Sequence, residues 1–243
     1  MRFRAILCPW KENGSPPVLR YDYQYSVAGM LYNLMIGAEP ELKHLHDSKE
    51  FKYFTFSRLE VPRRRALSQG LVLLSDDAYL WVSSPDDRLV RVLGKRMLES
   101  QEMSIASVNF SVAGIDLLGP FNSTGDEQFT TMSPIVLRTV REGDGTKRTW
   151  DLSPDDDEFA GYLIKNLERK YATYTGEASK GITEVTEISN CHSKRIEIDG
   201  IYHRAHMMDI SMRGPPEVLK FAYDCGLGEK NSMGFGMVRL RGR

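Results

Sequence analysis

A chain of 243 residues, 41% hydrophobic and 27% charged, has too much apolar content to be disordered or fibrous. Surface scaling gives roughly 11,000 Å² folded against roughly 40,000 Å² extended, enough burial for one large domain or two ordinary ones without staples. Lys and Arg total 32 against 33 Asp and Glu; the net charge of −1 gives no global sign of a nucleic-acid or membrane partner, and leaves room for a local patch.

Cys8, Cys191 and Cys225 are odd in number and far apart, which argues against a disulfide framework or a CxxC metal knuckle. No apolar run approaches 18 residues, and the run in MRFRAILCPWKENG is too short for a signal peptide. The expectation is an intracellular, cytoplasmic protein with no membrane span.

In chain order, RFRAILCP at 2–9 alternates and predicts a strand. From about Gln24 to Met35, Val27, Met30, Leu31 and Leu34 recur at helical spacing, and Tyr32 shares that helix. A second short helix is predicted from Glu39 to about His46, with Pro40 in its first turn. FKYFTFSRLEV at 51–61 reads as an aromatic strand, and GLVLLSDD and AYLWVSS as hairpin arms across Asp76-Asp77. Between them, SRLEVPRRRA carries Arg58, Arg63, Arg64 and Arg65 and reads first as a solvated loop. Residues 86–99 predict a helix through Leu89, Val90, Leu93 and Met97, followed by one strand at about 101–115. This is close to the β-α-β-β-α-β order of a ferredoxin-like domain.

GPFNSTGDEQF, 119–129, is the best linker candidate. TTMSPIVLRTV and TKRTWDL are strand-like, and DDDE at 155–158 is expected to open the longest helix, reaching about Tyr171. Strands at about 182–189 and 192–213, the short helix PPEVLKFAYDCG, a glycine-rich loop and the strand FGMVRLRG complete the chain. The second half repeats the inventory of the first. The predicted fold class is therefore α+β, two ferredoxin-like (RRM-like) domains in tandem, 1–118 and 119–243.

The strongest local feature is GLGEKNSMGFGMV, with Gly226, Gly228, Gly234 and Gly236. It lacks the Lys and hydroxyl residue of a P-loop and lies too close to the C-terminus for a dinucleotide fingerprint. Two readings stay open: a phosphate-contacting loop with Lys230 and Asn231 at its tip, or a tight turn that lets a helix pack on the last strand. His203 and His206 fall on a predicted strand, where an offset of three sends side chains to opposite faces, so no metal set is read. No cofactor motif survives either.

His44 and His46, each alone a plausible solvated or capping residue, stand between Tyr32 and the pair Lys49 and Lys52. A His, a Tyr and a Lys form a workable metal-free set for cleaving a phosphodiester whose own 2′-hydroxyl is the nucleophile. If that chemistry operates, the arginines at 58 and 63–65 become a candidate phosphate-contact patch.

Taken together, MRFRAILCP, YDYQYSVAGMLYNLM, LKHLHDSKEFKYFTFSRLEV, FTTMSPIVLRTV and YDCGLGEKNSMGFGMVRL resemble, over nearly the whole chain, the CRISPR repeat-RNA processing endoribonucleases of the RAMP superfamily. The resemblance implies metal-independent cleavage of precursor CRISPR RNA within each repeat, leaving a 5′-hydroxyl and a 2′,3′-cyclic phosphate or 3′-phosphate. It carries the catalytic roles onto Tyr32, His46 and Lys52 in the first domain, with His44 as the runner-up histidine. It sets the second domain's loop, Gly226 to Gly236 with Lys230 and Asn231, near the RNA. The implied partners are repeat RNA, unstructured or weakly hairpinned, with effector-complex subunits or a second copy of the chain as further candidates. The competing expectation is a module that binds and presents repeat RNA without cutting it.

Overall fold

The computed structural model describes residues 1–38, 51–143 and 145–242. The helix predicted over 39–46, with His44 and His46, lies outside the described residues. The chain divides into two compact units, Met1–Pro120 with Ser232–Gly234, and Phe121–Asn231 with Phe235–Arg243.

The first unit is built on β1 (Arg2–Pro9), β2 (Val18–Arg20), α1 (Gln24–Ala38), β3 (Thr55–Phe56), β4 (Arg64–Leu67), β5 (Gly70–Leu73), β6 (Ala78–Ser83), α2 (Asp87–Ser100), β7 (Glu102–Ile105) and β8 (Val108–Leu118). Its antiparallel main sheet runs β3-β6-β1-β8-β7. The alternation of β1 buries Phe3, Ala5 and Leu7 completely, while Arg4 between them pairs with Asp116 of β8. Asp86 caps α2 by accepting from the N–H groups of Arg88 and Leu89, and Leu89, Val90, Leu93 and Met97 form its inner stripe.

Three expectations change here. The aromatic strand at 51–61 is regular only over Thr55–Phe56, because the Ser57 hydroxyl accepts the N–H of Trp81 and interrupts the backbone ladder. The segment rejoins β6 at the Glu60–Tyr79 bridge. The two arms around Asp76-Asp77 do not pair with each other: β5 lies in a separate small sheet, β2-β5-β4, and β6 in the main one. Leu74 and Ser75 donate backbone N–H groups to the Arg63 carbonyl and tie the chain to that small sheet before it reaches β6. Consequently Arg64 and Arg65 stand in strand β4, not in a loop. The single strand expected at 101–115 is the hairpin β7-β8, turned at Ala106 with φ of 52°.

The second unit comprises β9 (Asp126–Thr131), β10 (Arg138–Gly143), β11 (Thr146–Asp151), α3 (Phe159–Thr175), β12 (Glu184–Ile198), β13 (Ile201–Arg213), α4 (Pro216–Cys225) and β14 (Val238–Leu240). Its main sheet is antiparallel in the order β12-β13-β9-β14, and β10-β11 is a separate hairpin. Phe129, Leu163, Leu167, Ile210, Met212, Leu219 and Ala222 are buried in its core. The linker is shorter than expected, since β9 already pairs with β13 from Asp126. The acidic run precedes α3: Asp156 accepts the Ser153 N–H in a turn, and the helix starts at Phe159. The break expected near 190 is a bulge within β12, and the chain reverses later at Asp199-Gly200, with φ of 51° and 74°. Asp-Gly with both residues at positive φ suits a two-residue hairpin turn.

In both units the four principal strands lie in the spatial order second, third, first, fourth: β3-β6-β1-β8 and β12-β13-β9-β14.

Candidate active site

In the first unit, Tyr32 sits on the inner side of α1, only 4% exposed, with its ring edge-on to Phe54 at 5.6 Å. Burial raises its phenol above the ordinary tyrosine range, and a hydrogen bond with the Ser232 side chain offsets part of that shift. The phenol therefore stays protonated at neutral pH and serves as a hydrogen-bond donor in preference to a base. Lys52 is half-buried, two residues before Phe54, and its carbonyl accepts the Phe54 N–H. The structure thus brings Tyr32 against the segment that carries Lys52.

Ser232–Gly234 belong to this unit. Gln24, at the start of α1, donates its amide to the carbonyls of Met233 (3.2 Å) and Gly234. Gly234 has φ of 81°, and a Cβ there would overlap the Phe56 ring, so its backbone must lie flat on an aromatic face that leaves no room for a side chain.

The rest of the glycine loop is organised from inside. Lys170 of α3 is buried at 2% exposure, and its ammonium donates to Gly226 O (2.7 Å), Gly228 O (3.0 Å) and Asn231 Oδ1 (2.8 Å). Three acceptors require three N–H groups, so the geometry is that of the charged form. Burial lowers the Lys170 pKa, while Cys225 and Glu229 act in the opposite direction. The Asn231 amide nitrogen donates to Leu227 O and Phe235 O, both at 3.0 Å. Gly236 has φ of 74°, and a Cβ there would collide with the Leu227 carbonyl.

This corrects the expected role of Asn231: both ends of its amide are committed within the loop, so it braces the loop and is not presented to a ligand. Gly226 and Gly228 likewise turn their carbonyls inward to Lys170. Lys230 is half-buried with φ of 55°, and burial and the charge of Arg138 lower its pKa. Arg138 itself pairs with Glu229 at 2.8 Å. Of the arginine run, Arg58 is half-buried, while Arg63, Arg64 and Arg65 are exposed. Neighbours in a strand point to opposite faces, so Arg64 and Arg65 do not share one groove wall, and Arg64 donates to the Val61 carbonyl.

His203 and His206 are both buried. His203 Nδ1 faces Asp151 Oδ1 at 3.8 Å, and His206 Nδ1 is 3.4 Å from Ser193 Oγ. Among the described residues no cluster of three or more His, Cys, Asp or Glu could hold a metal, and no helix is long and apolar enough to cross a membrane.

Lys170, Ser232 and Gln24 are the residues that sequence reasoning passed over. Lys170 did carry a signal, since it continues the buried face Leu163, Asn166, Leu167 at helical spacing and so stands where an apolar residue belongs. Ser232 and Gln24 carry none, because their meeting depends on segments some 210 positions apart.

A family model described as CRISPR-associated protein Cas6, N-terminal, matches residues 18–116, and one described as CRISPR associated protein Cas6, C-terminal, matches residues 119–240. The chain is similar to CRISPR-associated endoribonuclease Cas6 1 of Methanocaldococcus jannaschii, 35% identical over 91% of this chain and 87% of that protein. It is also similar to a CRISPR-associated endoribonuclease-like protein, Cas6nc, of Pyrococcus horikoshii, 32% identical over 99% of each. A solved structure described as a RAMP protein binding different RNA substrates superposes with a TM-score of 0.90, at 32% identity over 99% of both chains. Two family models that divide the chain between them, and relatives sharing about a third of its residues from end to end, lead to one conclusion: the chain belongs to the Cas6 family of CRISPR-associated proteins, within the RAMP superfamily.

Proposed function

We propose that this protein is a metal-independent endoribonuclease that cuts precursor CRISPR RNA within its repeats. The observation that carries the reading is the protonated, hydrogen-bonded Tyr32 packed against the segment of Lys52, in a chain whose M. jannaschii relative is named an endoribonuclease. In the proposed reaction the 2′-oxygen attacks the adjacent phosphorus as the bond to the 5′-oxygen breaks, giving a 2′,3′-cyclic phosphate and a 5′-hydroxyl. His46, assigned through the resemblance in LHDSK, transfers a proton at one of these oxygens, with His44 as its alternative. Tyr32 donates a hydrogen bond on the opposite side of the phosphorus, and Lys52 stabilises charge on the non-bridging oxygens.

The units are read as two ferredoxin-like domains, 1–118 with the catalytic residues and 119–243 with the glycine loop. The shared order of four antiparallel strands supports this. Repeat RNA is the partner, with Lys230, Arg63 and Arg65 as its candidate phosphate contacts.

A second reading, binding without cleavage, is favoured by the near-complete burial of Tyr32 and by the endoribonuclease-like name of the P. horikoshii relative. Labelled repeat RNA separates the two. Wild type should cut it in excess EDTA and leave a substrate with a 2′-deoxy scissile nucleotide intact. His46→Ala should slow cleavage by at least about tenfold to a hundredfold with binding nearly unchanged. Full activity of His46→Ala would remove His46 from the reaction; RNA bound by wild type but uncut would establish the second reading.

A further inference from the structure

We infer that Ser232, presented by the glycine loop, is a positioning residue that aims the Tyr32 hydroxyl at the scissile phosphate. The inference rests on the proposed catalytic role of Tyr32 and extends it: the glycine-rich motif serves the first unit as an orienting strap.

Three contacts within that unit carry the argument. Ser232 and Tyr32 are 7% and 4% exposed, and their side chains hydrogen-bond to each other. Gln24, two helical turns or about 12 Å before Tyr32 along α1, holds the carbonyls of Met233 and Gly234. Met233 packs on the first unit's core, and the Gly234 backbone rests on Phe56. Ser232, Met233 and Gly234 therefore lie along α1, anchored at its N-terminal end by Gln24 and reaching Tyr32 with Ser232. Side-chain packing and carbonyl acceptance would already hold Met233 and Gly234 in place, so the Ser232 hydroxyl is not needed as an anchor.

Its effect on Tyr32 is directional. A phenol oxygen accepts one hydrogen bond readily while donating its own proton. With Ser232 donating, the Tyr32 O–H cannot turn back onto Ser232 and is left for an acceptor elsewhere, which in the proposed reaction is a phosphate oxygen. Without that donor the hydroxyl rotor is unconstrained, and the arrangement must be ordered anew in each transition state.

The test is single-turnover cleavage of labelled repeat RNA by Ser232→Ala, Ser232→Thr, Tyr32→Phe and the double variant Ser232→Ala/Tyr32→Phe. Ser232→Ala should slow cleavage about tenfold, as for one oriented hydrogen bond, with the Kd for RNA within about twofold of wild type. Ser232→Thr should recover most of the rate, and the double variant should be no slower than Tyr32→Phe alone. Multiplying effects in the double variant, or a full rate in Ser232→Ala beside a slow Tyr32→Phe, would overturn the positioning role. A full rate in Tyr32→Phe would overturn the reading of Tyr32 beneath it. A readout independent of turnover is the Tyr32 Cζ resonance, assigned with Tyr32→Phe. Its titration should move to higher pH in Ser232→Ala, and in Ser232→Cys should Ala fail to fold; an unchanged midpoint counts against the bond.

Discussion

The glycine-rich segment is held in two different ways along its length. Gly226 to Asn231 close around a buried ammonium, that of Lys170, which binds two backbone carbonyls and the Asn231 amide. Ser232 to Gly234 are held by neutral groups of the first unit, the Gln24 amide and the Tyr32 hydroxyl. A buried cation is costly to desolvate and is tolerated only with all its donors bonded, so removing it strands three acceptors at once. A neutral amide at a partly buried position leaves less behind. The first stretch should therefore be brittle and the second tolerant, although the composition of the loop makes them look alike.

The largest expected effect follows from that contrast. Lys170→Met should destabilise the protein by about 3–5 kcal/mol, measured by urea unfolding, because Gly226 O, Gly228 O and Asn231 Oδ1 lose their partner together. A loss below about 1 kcal/mol would show that water replaces the ammonium and would erase the distinction between the stretches. Gln24→Ala should cost about 1–2 kcal/mol by the same measurement, since the carbonyls of Met233 and Gly234 lose a neutral donor. An effect equal to that of Lys170→Met would break the comparison from the other side.

A smaller, graded effect concerns pH. His203, edge-on to Phe235 of the loop, and His206 are both held below the usual histidine value of 6.5. Burial is the main cause in each, followed by the charge of Lys230 for His203 and of Arg204 for His206. The unfolded chain then binds more protons than the native one as the pH falls below about 6.5, so stability present at neutral pH declines on acidification. The urea midpoint should drop between pH 7.5 and 5, and His203→Asn should flatten that dependence. A midpoint independent of pH over this range would mean that neither histidine is neutral in the native state for the reason given.

These contrasts also separate what is local from what is not. The strand Arg2–Pro9 and the helices Gln24–Ala38, Asp87–Ser100 and Pro216–Cys225 are legible because one buried face repeats at the period of the element. The fate of Arg64 and Arg65 is not legible. Their inclusion in a strand depends on β5 choosing β2 and β4 as partners over the adjacent β6, which a local pattern does not encode. The turn at Asp199-Gly200 was available as an Asp-Gly pair, and the bulge near Ser189 drew the expected break to the wrong place.

At the candidate site, the residue types and order of Tyr32, His46 and Lys52, and the resemblance they help carry, are properties of the sequence alone. So are the glycine spacing and the near-neutral charge that confines any RNA contact to a local patch. Tertiary structure decided the rest: that Asn231 faces inward, that Lys170 is an internal cation, and that Ser232 meets Tyr32. The physical reason is distance along the chain. Periodicity reports which side of an element is buried, whereas a hydrogen bond between residues 200 positions apart exists only once both segments have been packed.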